Sequence, residues 1–156
     1  MGKLKLVAEP GRQELTFTRI FDASPERVFK AMSDPAVIPQ WWGPRKYATI
    51  VDKMEFKPGG TWRFINRDAQ GNDFGFHGVY HLIEPGRRVI QTFEFEGVPG
   101  HVSLETMTLE ARDGGTLVTA HSVFQSVADR DGMMEGDMEA GAAETYDRLE
   151  EVIMKG

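Results

Sequence analysis

A change of period limits what this chain can fold into. From Tyr47 to Gln125 the apolar residues recur mostly at every second position, and from about Asp131 to Lys155 they recur at every third and fourth. The first pattern belongs to strands with one buried face, the second to an amphipathic helix. Turn signals punctuate the strand region at Lys57-Pro58-Gly59-Gly60, Gln70-Gly71-Asn72, Glu84-Pro85-Gly86, Val98-Pro99-Gly100 and Asp113-Gly114-Gly115. Each supplies a proline-set φ or a glycine able to take positive φ, and five or six segments rich in Phe, Val, Thr, Ile and Trp lie between them. Connections this short imply antiparallel neighbours, because a parallel pair needs a crossover of about a dozen residues or more. Trp62 and Phe64 oppose Arg63 and Arg67, and Val89, Phe93 and Phe95 oppose Glu94 and Glu96, so one face is apolar and the other wet.

Upstream, Glu14 to Asp22 alternates Leu15, Phe17 and Phe21 against Thr16, Thr18 and Asp22, the signature of a first strand. Ser24-Pro25 then offers a helix cap followed by a proline at the first helical position, with Val28, Phe29 and Met32 at helical spacing. Asp34-Pro35 repeats the signal, and Pro39 limits that second helix to a turn or two. In the last stretch Met134, Met138, Gly141, Ala142, Thr145, Leu149, Val152 and Ile153 form one stripe of about six turns, on the order of 35 Å long. That element alone is long enough to cover the sheet. The expectation is an α+β fold in which a curved antiparallel sheet of six or seven strands wraps a long C-terminal helix, with two short helices after the first strand.

At 156 residues the chain suits a single domain, with its core from about residue 13 to 155. Its formal charge of −6 argues against nucleic acid, whose affinity comes from Lys and Arg neutralising phosphates. Cysteine is absent, which removes disulfides, thiol nucleophiles and zinc–thiolate sites. Without a run of about 18 apolar residues no membrane span is expected, and Met1-Gly2-Lys3-Leu4-Lys5 does not open a secretory leader. A cytoplasmic protein, monomer or homodimer, is the expectation.

The order of elements and several motifs are those of a known family. Ala23-Ser24-Pro25-Glu26-Arg27-Val28-Phe29, Trp41-Trp42-Gly43-Pro44, Pro58-Gly59-Gly60-Thr61-Trp62 and Gly78-Val79-Tyr80 before Glu84-Pro85 are its marks, with the helix Gly136…Met138-Glu139…Gly141…Glu144-Thr145…Leu149. The chain resembles the helix-grip fold of the START-like, or SRPBCC, superfamily, and within it the activator-of-heat-shock-protein-90-ATPase-homologue-like family. That superfamily spans ligand carriers, cyclases, hydroxylase domains and cochaperones, so the resemblance implies a fold before it implies a function.

The residues themselves point to a space between sheet and helix. Glycine inside a helix costs about 1 kcal/mol relative to alanine. Gly136 and Gly141 both stand in the last stretch, Gly141 on the apolar stripe beside Met134 and Met138. Gly141 either clears room over a pocket walled by adaptable methionines or lets the helix approach a ring such as Trp62 or Phe93. Of the adjacent Trp41 and Trp42, one is expected inside and one at the surface or the pocket mouth, as a gate or as structural plugs. Trp62, Phe64, Phe76, Phe93, Phe95 and Met107 are candidate walls. Gln91 among phenylalanines, Glu105 beside Met107, and His121 alternating with Leu117, Thr119 and Val123 are candidate polar handles. Glu105 and His121 orient a ligand or form an acid–base pair if both face inward; a one-residue slip would put either in solvent. His77 and His81 lack a third clustered ligand, so no metal and no cofactor is expected. The favoured reading is a protein holding an apolar, aromatic small molecule, with a cochaperone-like interaction module and an acid–base enzyme as alternatives.

Overall fold

The structure, a computed structural model, describes residues 3–155; Met1 and Gly2 of the opening stretch lie outside the described residues. Its strands are β1 (Lys5–Val7), β2 (Glu14–Phe21), β3 (Ala48–Met54), β4 (Thr61–Arg67), β5 (Asp73–Glu84), β6 (Arg88–Phe95), β7 (Val102–Arg112) and β8 (Gly115–Val123). All join one antiparallel sheet in the order β1-β2-β8-β7-β6-β5-β4-β3. Strands β3 to β8 are the meander that the turn signals delimit, and β2 pairs along β8 with Leu15 opposite Ser122 and Phe21 opposite Thr116. The sheet thus has eight strands rather than six or seven. The extra strand, β1, pairs Lys5 with Thr18 and Val7 with Thr16, and three residues are too few to display a period.

Helix α1 (Pro25–Ser33) follows β2, its N-cap Ser24 Oγ accepting from Arg27 N–H at 3.3 Å and Val28 and Ala31 buried beneath it. A 3-10 turn at Ile38–Gln40 is all that Pro39 allows of a second helix. The C-terminal stretch departs from expectation. It is two helices, α2 (Val127–Met133) and α3 (Met138–Lys155), rather than one continuous rod. Between them Gly136 takes φ +69°, a left-handed conformation that glycine adopts without the Cβ penalty. Gly136 therefore ends one helix and admits the next, and carries no mid-helix cost.

The core lies between the inner face of the sheet and the helices. Phe21, Val28, Ile38, Trp62, Tyr80, Val89, Leu109, Val118, Leu149 and Ile153 are buried in it. Along α3 full burial is confined to Leu149 and Ile153, both in its C-terminal half. Gly141, three residues into α3, has space: a Cβ there would meet only Pro44 Cγ, at 3.6 Å, an ordinary contact. The two glycines should therefore respond oppositely to alanine. We expect Gly136→Ala to lower stability by about 1 kcal/mol and Gly141→Ala to raise it by up to about 1 kcal/mol, read as shifts of urea midpoint at constant slope.

Candidate functional site

Helix α3 is held over the sheet by arginines from both flanks. On one side Arg19 of β2, itself buried, donates to Asp147 Oδ1 at 2.6 Å and to Glu150 Oε1 at 3.1 Å, with its guanidinium carbon 5.4 Å from the Phe21 ring centroid. Arg27 of α1 reaches the Ile153 carbonyl. On the other side the Trp41-Trp42-Gly43-Pro44 segment is the anchor. Arg148 donates to Gly43 O at 2.6 Å and Gln40 O at 3.0 Å, while the Arg45 backbone N–H and guanidinium reach Glu144 and Glu151. Gly43, at φ +84°, lies so close to buried Asn66 that a Cβ would stand 2.9 Å from Nδ2. Thr49 Oγ1 seals the junction, donating to Trp42 O and meeting Asn66 Oδ1.

Both adjacent indoles pack against the core, and neither stands at the surface. Trp41 is 8% exposed and donates from Nε1 to Ala31 O at 2.9 Å under α1; Trp42 is half-buried and packs on the sheet. Its ring lies 5.2 Å from both Phe64 and Phe76 and 6.4 Å from Trp62, all edge-on. Phe76 continues to Phe93 at 5.5 Å and Phe95 at 5.1 Å, so Trp42 and five of the candidate wall residues form one aromatic cluster. Trp62 can lie across β5 because Gly78 is beneath it, where a Cβ would stand 2.6 Å from the indole nitrogen and 1.9 Å from Thr92 O.

Beside that cluster runs a polar row. Directly opposed residues of antiparallel strands share a face. The pairings Leu15↔Ser122, Ser122↔Glu105, Glu105↔Gln91 and Gln91↔Tyr80 therefore place Glu105 mid-sheet on the inner face, with Met107 and Ala120 in the next row. Among the described residues no basic side chain pairs with Glu105; its only hydrogen bonds are long, from Ser103 at 3.4 Å and Ser122 at 3.5 Å. Burial pushes its carboxyl up to about 7, against the weak downward pull of those hydroxyls. Tyr146 of α3 packs against Phe21 with ring centroids 6.2 Å apart; burial and then the Glu105 charge raise its phenol well above the ordinary range, with Arg19 opposing.

His121 requires a correction. It pairs with Thr16 and Thr106 on the outer face, one residue out of phase with Glu105, and its Nε2 lies 3.1 Å from Glu14 Oε2. The acid–base pair does not exist, because Ser122 rather than His121 is the residue of β8 opposite Glu105. Gly141 faces Pro44 instead of the aromatic wall. Met134 caps α2 and borders a groove of about 330 Å³ with Ala8, Pro10, Gly11 and Arg130. Met138 opens α3, half-buried. A larger groove, about 550 Å³, lies on the solvent side of α3 between Arg19 and Arg45, over Glu144, Asp147 and Glu151. On the outer face Arg63 grips Glu96 through two 2.8 Å bonds and His77 Nδ1 meets the same carboxylate at 2.9 Å; Arg63 and then His77 hold Glu96 down at about 2 despite partial burial. Among the described residues no three His, Asp or Glu side chains converge to hold a metal ion, and no helix is long and apolar enough to cross a membrane. Arg19, Ser103 and Ser122 of the inner face, and Tyr146 of α3, are residues that sequence reasoning missed. Arg19 sits in the Leu15, Phe17, Phe21 alternation, and Tyr146 lies one helical turn before Leu149 and two before Ile153.

This architecture and its motifs have relatives. The profile described as activator of Hsp90 ATPase homolog 1-like protein matches residues 22–154. The chain belongs to that family. Among solved structures, a Rhodobacter sphaeroides protein is similar at 26% identity and TM-score 0.91, covering 99% of each chain. An Arthrobacter aurescens protein superposes at TM-score 0.88 with 23% identity over 97% of this chain and 92% of its own. A Mycobacterium smegmatis protein does so at 0.85 with 19% identity over 95% and 94%. The last two share the fold alone. Comparison with curated proteins finds no match.

The raised Glu105 carboxyl makes a prediction about pH. A carboxyl raised to about 7 from 4.5 binds its proton more tightly in the folded state. Its contribution is complete below the unfolded value and is lost as pH rises through about 7. We expect wild-type stability to fall between about pH 5 and pH 8 and Glu105→Gln to flatten that decline. At about pH 8 the variant should be the more stable by about 1–3 kcal/mol, measured by denaturation across the pH series.

Proposed function

We propose that this chain holds an apolar small molecule between the inner face of the sheet and the N-terminal half of α3. One observation carries the reading. Gln91, Phe93, Glu105, Met107, Ala120 and Ser122, central on the inner face, each keep part of their surface open, as do Ala142, Thr145 and Tyr146 of the helix above them. Under the other end of α3, by contrast, Val89, Leu109, Val118, Leu149 and Ile153 are closed off. That Glu105 is desolvated by its surroundings and yet not fully covered supports a space beside it over close packing. The walls of that space suit an aromatic or aliphatic guest: a rigid aromatic bank from Trp42 to Phe93 on one side and the flexible thioether of Met107 on the other. A few polar groups among apolar walls is the usual composition of a small-molecule site. Membership of a family whose fold is a sheet gripping a helix agrees with this use of the interior.

The test is native mass spectrometry of gently purified protein, followed by titration with an environment-sensitive apolar fluorophore. A co-purified small molecule, or saturable one-to-one fluorophore binding that Met107→Trp abolishes, is the expected result. Protein that arrives empty and binds no apolar probe up to its solubility limit would contradict the reading.

A further inference from the structure

We infer that the guest carries a basic nitrogen: an apolar amine whose ammonium group is anchored on the Glu105 carboxylate. This rests on the carrier reading above and specifies its ligand. The register of the sheet leaves two charged side chains on the inner face, Arg19 and Glu105. Arg19 is already matched by Asp147 and Glu150 of α3. Among the described residues Glu105 is matched by two long hydroxyl contacts alone. A buried carboxylate without a cation is costly, and either a proton or a cationic guest relieves it.

The surroundings favour the guest. An ammonium group brings three N–H donors and needs acceptors for each. Besides the carboxylate, the Ser122 hydroxyl of β8 and the Gln91 carboxamide of β6 are opposite Glu105, and Ser103 is on its own strand. Phe93, one step along the same face from Gln91, offers a ring for the cation and its hydrocarbon. The α2–α3 break and first turn expose Glu135, Asp137 and Glu139 on a chain of net charge −6, a field that attracts a cation and repels a carboxylate.

The experiment is isothermal titration of four probes with a common apolar body: phenylbutylamine, phenylbutanol, benzylacetone and phenylbutyrate. The amine should bind on the order of ten- to a hundred-fold more tightly than the alcohol. At about pH 6, where Glu105 is largely protonated, amine binding should release about one proton to the buffer and alcohol binding none. Glu105→Gln should collapse the amine-to-alcohol ratio to about one; should that variant not fold, the proton release of the wild type decides alone. Equal affinities for amine and alcohol, tightest binding of benzylacetone or phenylbutyrate, no proton release, or an amine preference that survives Glu105→Gln would each overturn the inference while leaving the carrier reading standing. Binding of none of the four would remove the carrier reading, and the amine with it.

Discussion

Everything about the interior follows from how α3 is fastened. Arg19, Arg27, Arg45 and Arg148 tie it to β2, α1 and the segment after the 3-10 turn, and every one of those ties falls at Glu144 or later in the helix. Several are backbone carbonyls reached by guanidinium groups, which fix position as well as charge. In the first turns a Cβ on Gly141 would meet Pro44, and the left-handed Gly136 separates these turns from α2. The clamped end of the helix closes the core beneath it. Leu149 and Ile153 are buried and no residue of α3 before them is.

The same asymmetry sorts the inner-face charges. Arg19 lies under the clamped end, where α3 can bend two carboxylates onto it, and a buried charge so paired is tolerable. Its Nε nonetheless has no acceptor, which marks the fit as good rather than complete. Glu105 lies two rows away, and among the described residues no basic side chain pairs with it. A chain selected only for stability would place an apolar residue there. Keeping an acid in that row makes the site chemically distinct from a merely loose corner of the core, and the outer-face Arg63–Glu96–His77 cluster shows how fully the same sheet satisfies a carboxylate elsewhere.

Much of this was legible in the residues, and the failures have physical reasons. Ser24-Pro25 and the five Pro/Gly turns located α1 and the hairpins, because those conformations are demanded by single residues. Strand faces were legible where one side was charged, as with Arg63 and Arg67 against Trp62 and Phe64. In β8 both faces carry apolar residues, Leu117 and Val123 outside against Val118 and Ala120 inside, so alternation could not assign His121. The apolar spacing runs unbroken from Met134 to Met138 across a real break, and only a backbone angle at Gly136 distinguishes it. The neighbour of Gly141, Pro44, is about a hundred residues away in sequence, and no local pattern announces that contact.

The claim that the space lies under the unclamped half of α3 is tested most directly by methionine-methyl NMR during a titration with phenylbutanol. Met107 on the inner face and Met138 at the start of α3 flank that space, whereas Met133 and Met154 are on the surface. Saturable shifts of the Met107 and Met138 methyls, with those of Met133 and Met154 unmoved, are what the account predicts. Shifts confined to the exposed methyls, or none at a concentration that saturates binding, would contradict it.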